Sequence, residues 1–394
     1  MNLLFAGPLP PFEGGAAFVN RDLIAGLARR GHRVRAVAPV MAKDLSLAEA
    51  FARAHPNISF RWFQQPRYVL ISGPADEIRD AVSAEARQFA DTLSAEMAHE
   101  PDIVICGRES AAVALTQVEA AASVPAVVIA HGKGFVDAAN GDWPPPLQDR
   151  IVSAYHRCGR VILVARHLQR WLGALRLPHA TVIGNAADHR LFFPAPKDPE
   201  LMRRWQIQPD DLVVAHLSNL GPIKRPFDIV KAAGRALARE PRLLFLIVGN
   251  DRLRGEMEEA CVGAGIAGRF RFAGWVDQSE SPRYLNLADM VVMPSQLEAL
   301  SLVYLEAQAC GRVLIASDIP AAREVIEDGV TGLLFPMGVI EAFSERILLA
   351  AAQPGLRAAI GRRARAQAEA SGMDEWLDAY ERALRELVPG ARAA

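Results

Sequence analysis

The chain has 394 residues, half of them hydrophobic, with 44 Lys and Arg against 45 Asp and Glu for a formal net charge of −1. That length is too great for one ordinary core and predicts about two domains. The balanced charge excludes a global basic field for nucleic acid or anionic lipid, and four scattered cysteines with no CxxC pair argue against a disulfide framework or zinc site.

The opening MNLLFAGPLPP lacks the basic segment and apolar stretch of a signal peptide and reads as a strand running into a loop. No apolar run approaches the ~18 residues of a membrane span. A cytoplasmic protein without a transmembrane segment is expected; a peripheral membrane contact and the oligomeric state are left open.

Along the chain, short β-rich apolar runs alternate with helical patterns, which predicts parallel sheets built from βαβ units. Strands are expected at Leu3 to Ala6, Val34 to Val37, Ile103 to Ile105, Ala126 to Ala130, Val161 to Val164 and Thr181 to Ile183. A helix after the first strand lines up Val19, Leu23 and Leu27 and stops at Gly31. The stretch from Phe193 to Asp211, rich in Pro and charge, reads as a linker with a short helix. The pattern then restarts, with strands at Leu212 to Ala215, Leu243 to Val248, Phe270 to Phe272, Met290 to Met293 and Val313 to Ala316. A helix is expected from Phe227 to Arg239, and a last one from Glu375 to Leu387 with Trp376, Tyr380 and Leu384 in line. The fold class is therefore α/β with two Rossmann-like, doubly wound domains, residues 1–192 and 193–374. Ligands of such sheets gather beyond the strand carboxyl ends, so a central cleft with one substrate per domain is expected.

The richest segment runs from Pro294 to Glu306, after one strand and before a helix closed by Gly311. Ser301 suits the N-cap position, so the helix should start at Leu302, leaving the amides near Leu302 and Val303 for a diphosphate. Glu298 in the loop can accept hydrogen bonds from sugar hydroxyls, and Glu306 inside the helix from a ribose diol. By themselves, two glutamates at this spacing could equally be solvated acids at a helix end. Gly14-Gly15, opening the first helix, allows close backbone approach to a phosphate or acceptor, or simply a tight turn; Glu13 beside it is a weaker candidate. Arg108 and Lys133 read as surface cations rather than acceptor ligands. Gly263 to Gly268 formally spells GxGxxG, but it follows a helix and precedes a strand, the reverse of a dinucleotide fingerprint. Asp-x-Asp, Walker and HExxH motifs are missing from the sequence, so neither metal nor cofactor is expected.

The Glu-x7-Glu spacing, followed by Ala307-Gln308-Ala309-Cys310-Gly311, resembles the donor motif of the family 4 retaining glycosyltransferases, whose fold is GT-B. The resemblance extends over nearly the whole chain, through Gly14-Gly15, Gly31-His32-Arg33-Val34, His131-Gly132, the segment Ile183 to Asp188, Gly249, and Phe272-Ala273-Gly274-Trp275-Val276. It implies that Glu298, His131 and Lys224 serve the transfer itself. It further implies that Gly14, Gly15, Asn219, Lys224, Arg225, Gly249, Trp275, Val276, Ser301, Leu302, Val303 and Glu306 hold a nucleotide-sugar donor, expected to be a UDP-sugar and used as co-substrate. The other partner is then a small-molecule or glycan acceptor, and nucleic acid is not one. Retention implies front-face attack, with a donor phosphate oxygen taking the acceptor proton. The last helix, 375–394, is expected to pack back on the first domain.

Departures from the family pattern are specific. Glu298-Ala299-Leu300-Ser301 replaces the usual Glu-Gly-Phe-Gly, and Asn219 stands where an Arg usually joins Lys224, with Arg225 as the nearest compensating charge. The run Ser218-Asn219 with Pro222-Ile223-Lys224-Arg225 resembles the N-acetylglucosaminyl malate synthase branch. These departures leave two alternatives: a GT-B sugar-nucleotide enzyme of another class, such as an epimerase, or a catalytically silent binder.

Overall fold

The computed structural model describes the whole chain except residues 13, 67–74, 179, 251, 252, 254 and 389–394. The chain forms two compact units, Met1–Asn185 together with Asp374 onward, and Ala186–Met373.

In the first unit the strands are β1 (Asn2–Ala6), β2 (Arg33–Val40), β3 (Ile58–Gln64), β4 (Ile103–Cys106), β5 (Ala126–Ala130), β6 (Arg160–Leu163) and β7 (Ala180–Val182). All pair in parallel, in the order β3-β2-β1-β4-β5-β6-β7. The helices between them include α1 (Gly15–Arg29), α2 (Leu45–Ala54), α3 (Ala75–Glu96), α4 (Glu109–Leu115), α5 (Lys133–Asn140), α6 (Pro145–Arg157) and α7 (Leu172–Leu175). Every residue of β4 and β5 is buried, as a parallel strand covered on both faces requires.

The second unit contains α8 (Pro199–Arg204), β8 (Leu212–Leu217), α9 (Pro226–Leu237), β9 (Leu243–Val248), α10 (Glu256–Gly263), β10 (Phe270–Gly274), α11 (Ser281–Leu287) and β11 (Met290–Met293). It continues with α12 (Leu302–Ala309), β12 (Val313–Ser317), α13 (Pro320–Arg323), β13 (Leu333–Phe335), α14 (Ile340–Ala352) and α15 (Pro354–Glu369). Its parallel sheet runs β10-β9-β8-β11-β12-β13. Alternate residues of each strand enter two separate cores. Val213, Ala215, Val291 and Leu314 join one, Val214, Phe245, Val292 and Ile315 the other.

The last helix, α16 (Met373–Arg385), returns to the first unit. A Cβ on Gly26 of α1 would lie 2.5 Å from Leu377, so the glycine lets α16 press close. Arg30 pairs with Asp378 at 2.6 Å, His32 with Glu381 at 2.6 Å, and Arg160 with Glu386 at 2.6 Å.

Two strands escape the sequence reading. β3 carries Arg61 at an edge with mixed exposure, and β13 is only three residues long. The first unit also ends before residue 192, because Ala187 and Phe192 are buried in the core that contains Tyr304 and Cys310. The GxGxxG decoy is a helix end: α10 stops at Gly263, and Gly265 takes a left-handed turn (φ 71°) before β10.

Candidate functional site

In the second unit, strand order reverses direction between β8 and β11. Such a reversal is the usual ligand position in open α/β sheets. The loop after β8 supplies Ser218 to Arg225 and the loop after β11 supplies Pro294 to Ser301. Gln296 N–H donates to the Ile223 carbonyl at 2.8 Å and ties the two together. At this point Lys224 Nζ lies 2.5 Å from Glu298 Oε1. The two side chains keep 22% and 9% of their exposure, so the pair is partly shielded from water yet reachable.

Helix α12 starts at Leu302 as expected, with Ser301 in the capping position, but the Ser301 hydroxyl makes no capping hydrogen bond. The first-turn amides of Leu302 and Val303 nevertheless have no acceptor within the helix, and both residues are partly exposed. Glu306 is buried one turn in, where Gln278 Nε2 donates to its Oε1 at 3.0 Å. Gln278 follows the segment of Trp275, which is exposed, and Val276, which packs against the core. Nothing in the sequence marks Gln278 as the residue that orients Glu306.

Gly249 has a demanding structural reason for being glycine. Its φ is 138°, and a Cβ would fall 1.8 Å from the Ser218 carbonyl oxygen. Its N–H donates to Gly274 at 2.8 Å, while Leu220 N–H donates to Asn250 at 2.8 Å, so the loops after β8, β9 and β10 are laced together. Arg225 sits in a left-handed conformation (φ 51°) and pairs with Asp228 at 2.6 Å. Its charge is thus engaged on α9, which weakens the expectation that it compensates for Asn219.

His216, at the end of β8, escapes the sequence reading because a histidine in an apolar run carries no signal. It is fully buried. Nδ1 lies 2.8 Å from the Val292 carbonyl oxygen and Nε2 2.7 Å from Ser218 Oγ. A carbonyl only accepts, so Nδ1 carries the proton and Ser218 donates to Nε2. Burial pushes the ring's pKa down to about 4; the Val292 bond opposes this, nearby Lys224 adds to it and Glu298 opposes it.

In the first unit the reversal of strand order lies between β1 and β4. Gly14 (φ 151°) precedes α1 and Gly15 begins it; Glu13 lies outside the described residues. His131 follows β5, with Nε2 at 3.0 Å from Asn20 Oδ1. Its pKa is lowered to about 4, first by burial and then by the Arg108 charge. Arg108 pairs with Glu85 at 3.3 Å and Lys133 with Asp137 at 2.5 Å. Among the described residues, no group of three or more His, Cys, Asp and Glu side chains could hold a metal ion, and no helix is long and apolar enough to cross a membrane.

Two parallel, doubly wound units with their notable residues at strand carboxyl ends define the GT-B class of α/β fold. Residues 13–191 match the family described as Glycosyltransferase Family 4, and residues 197–367 match Glycosyl transferases group 1. The chain belongs to the family 4 glycosyltransferases. A D-inositol 3-phosphate glycosyltransferase of Frankia alni is 30% identical over 291 residues, covering 67% of this chain and 70% of the relative. An N-acetyl-alpha-D-glucosaminyl L-malate synthase of Bacillus anthracis is 23% identical over 360 residues, 90% of this chain and 89% of the relative. The chain spans only about half the length of other curated relatives that it matches, 47% in one case and 41% in another. Among solved structures, Anabaena Alr3699/HepE in complex with UDP and glucose superposes with a TM-score of 0.78 at 20% identity, over 98% of this chain and 100% of that one.

Proposed function

We propose that this chain is a retaining, metal-independent glycosyltransferase that moves a sugar from a UDP-sugar to a hydroxyl of a small-molecule or glycan acceptor. The observation that carries the reading is the pairing of Lys224 with Glu298 at the strand-order reversal of the second unit, directly ahead of the first-turn amides of α12. An ammonium and helix amides stabilise a leaving diphosphate. Carboxylates repel it and suit the hydroxyl-bearing ends of the donor, so Glu298 takes the sugar and Glu306 the ribose. In the transfer, the bond from the anomeric carbon to the phosphate oxygen breaks and UDP leaves. The acceptor oxygen bonds to the same face of that carbon, and its proton passes to the departing phosphate oxygen. No cofactor enters beyond the donor as co-substrate. The choice of UDP is supported by the UDP in the Anabaena complex.

The relatives' names suggest acceptors to try first, inositol 3-phosphate and malate. The test is incubation with a panel of UDP-sugars and these acceptors, with product identity and anomeric configuration read by NMR. A glycoside of retained configuration plus UDP is expected. An isomerised sugar would make the chain an epimerase, and donor binding without product would make it a silent binder.

A further inference from the structure

Asn20 is a fully buried polar residue on the face of α1 that also carries buried Ala17, Leu23 and Ile24. A buried amide is costly unless both its ends are satisfied. Its Nδ2 donates to the Pro8 carbonyl at 3.0 Å and points to the Gly107 carbonyl at 3.4 Å. Gly107 is needed for this approach, since a Cβ there would come within 2.7 Å of Asn20 Nδ2 and 2.6 Å of the Phe5 ring. Carbonyl oxygens only accept, so the amide cannot be turned around. Oδ1 is left facing His131 Nε2 at 3.0 Å, and an oxygen there requires that Nε2 carry hydrogen. The other ring nitrogen, Nδ1, meets no hydrogen-bond partner among the described residues, and His131 is partly exposed.

We infer that Asn20 is a positioning residue that locks His131 as the Nε2–H tautomer and leaves Nδ1 as a lone-pair acceptor for a ligand hydroxyl. Such a ring accepts from a sugar or polyol O–H but repels a phosphate or carboxylate oxygen. The hydroxyl assignment rests on the proposed transferase reading; the tautomer does not. The ring stays neutral because most of it is withdrawn from water and because the positive charge of Arg108 lies nearby, a charge itself held by Glu85. Lys133, on the helix that His131 precedes, is neutralised by Asp137.

The experiment is NMR of the full chain labelled with ¹⁵N-histidine, with His131 assigned by its loss in His131→Gln. The wild type should show Nε2 protonated, Nδ1 bare, and no titration from pH 8 to pH 5. An Nδ1–H tautomer, or titration near the ordinary histidine value, would overturn the inference, and this result is independent of whether transfer is ever detected. Asn20→Leu, similar in size, should let the ring populate both tautomers and lower turnover about tenfold, the scale of one hydrogen bond, with UDP affinity unchanged. A rise in KM for the donor alone puts the hydroxyl on the transferred sugar; a rise for the acceptor alone puts it on the acceptor. An unaltered tautomer in Asn20→Leu would overturn the role of Asn20. Should that variant not fold, Asn20→Asp provides the second arm. Its carboxylate should raise the His131 pKa, so that titration enters the pH 5 to 8 window and turnover is lost on the acid side but recovered on the alkaline side. No movement of the pKa would count against Asn20 as the partner that sets it.

Discussion

Glu298 and Glu306 share a motif but sit in different electrostatic company. Glu306 accepts a hydrogen bond from the Gln278 amide, and a carboxylate has several lone pairs with which to accept from a diol. Glu306→Ala should weaken UDP about 10- to 100-fold, the range of a charge-assisted hydrogen bond. Glu298 instead neutralises Lys224 in the unliganded chain. Releasing that lysine by Glu298→Ala should tighten UDP about 2- to 5-fold, since a partly exposed ion pair is worth up to about 1 kcal/mol, while turnover falls because the sugar loses its anchor. Calorimetry of UDP binding to both variants at fixed salt checks the pair of signs. Equal weakening in both would show the carboxylates to be wrongly assigned.

His216 makes an acid-side prediction. The folded chain holds it neutral down to about pH 4, whereas an unfolded histidine takes a proton near pH 6.5. Between those values the unfolded state binds more protons, so stability is lost as pH falls through this window. At pH 5 the loss should be about 2 kcal/mol, at 1.36 kcal/mol per unit. His131 shifts in the same direction. Urea unfolding at pH 7 and pH 5 should show a smaller pH penalty in His216→Asn than in the wild type. An identical penalty would mean that the buried ring does not titrate between the two states.

At the scale of elements, what the sequence reveals is what burial makes obvious. β4, β5, β8 and β9 are buried throughout, and their apolar runs, interrupted only by His216 in β8, are readable. β3 is not, because an edge strand can carry Arg61 and mixed exposure without cost. Glu298 and Glu306 are legible through their spacing. Gln278 and Asn20 are not, because their partners, Glu306 in α12 and the loop residues Pro8, Gly107 and His131, are brought to them by the fold and by no local pattern. Gly249 is legible as a candidate, but the physical demand on it is the Ser218 carbonyl. Gly249→Ala should therefore destabilise the second unit by about 3 kcal/mol or more, combining positive-φ strain with a backbone collision. Urea denaturation measures this, and a loss under about 1 kcal/mol would show that the β8 and β9 loops can relax.

For the molecule as a whole, the expected chemistry relies on a lysine and helix amides where other transferases use a divalent cation. Turnover should survive excess EDTA, and added Mg²⁺ or Mn²⁺ should change it by less than about twofold. Activity abolished by chelation and restored by one of these ions would contradict the proposed stabilisation of the leaving group.

The route of the chain through its two units also has a bearing on synthesis. The second unit is one contiguous stretch, Ala186–Met373, but the first needs residues from Asp374 onward. During translation, the segment made first waits without the helix that lies against Gly26, His32 and Arg160, while the segment made second can already close its own core. Vectorial synthesis ordinarily favours the leading domain; here the order of completion is inverted. A chain released at Met373 has every residue of the trailing unit but lacks the segment that covers Gly26 of the leading one, where Leu377 would lie.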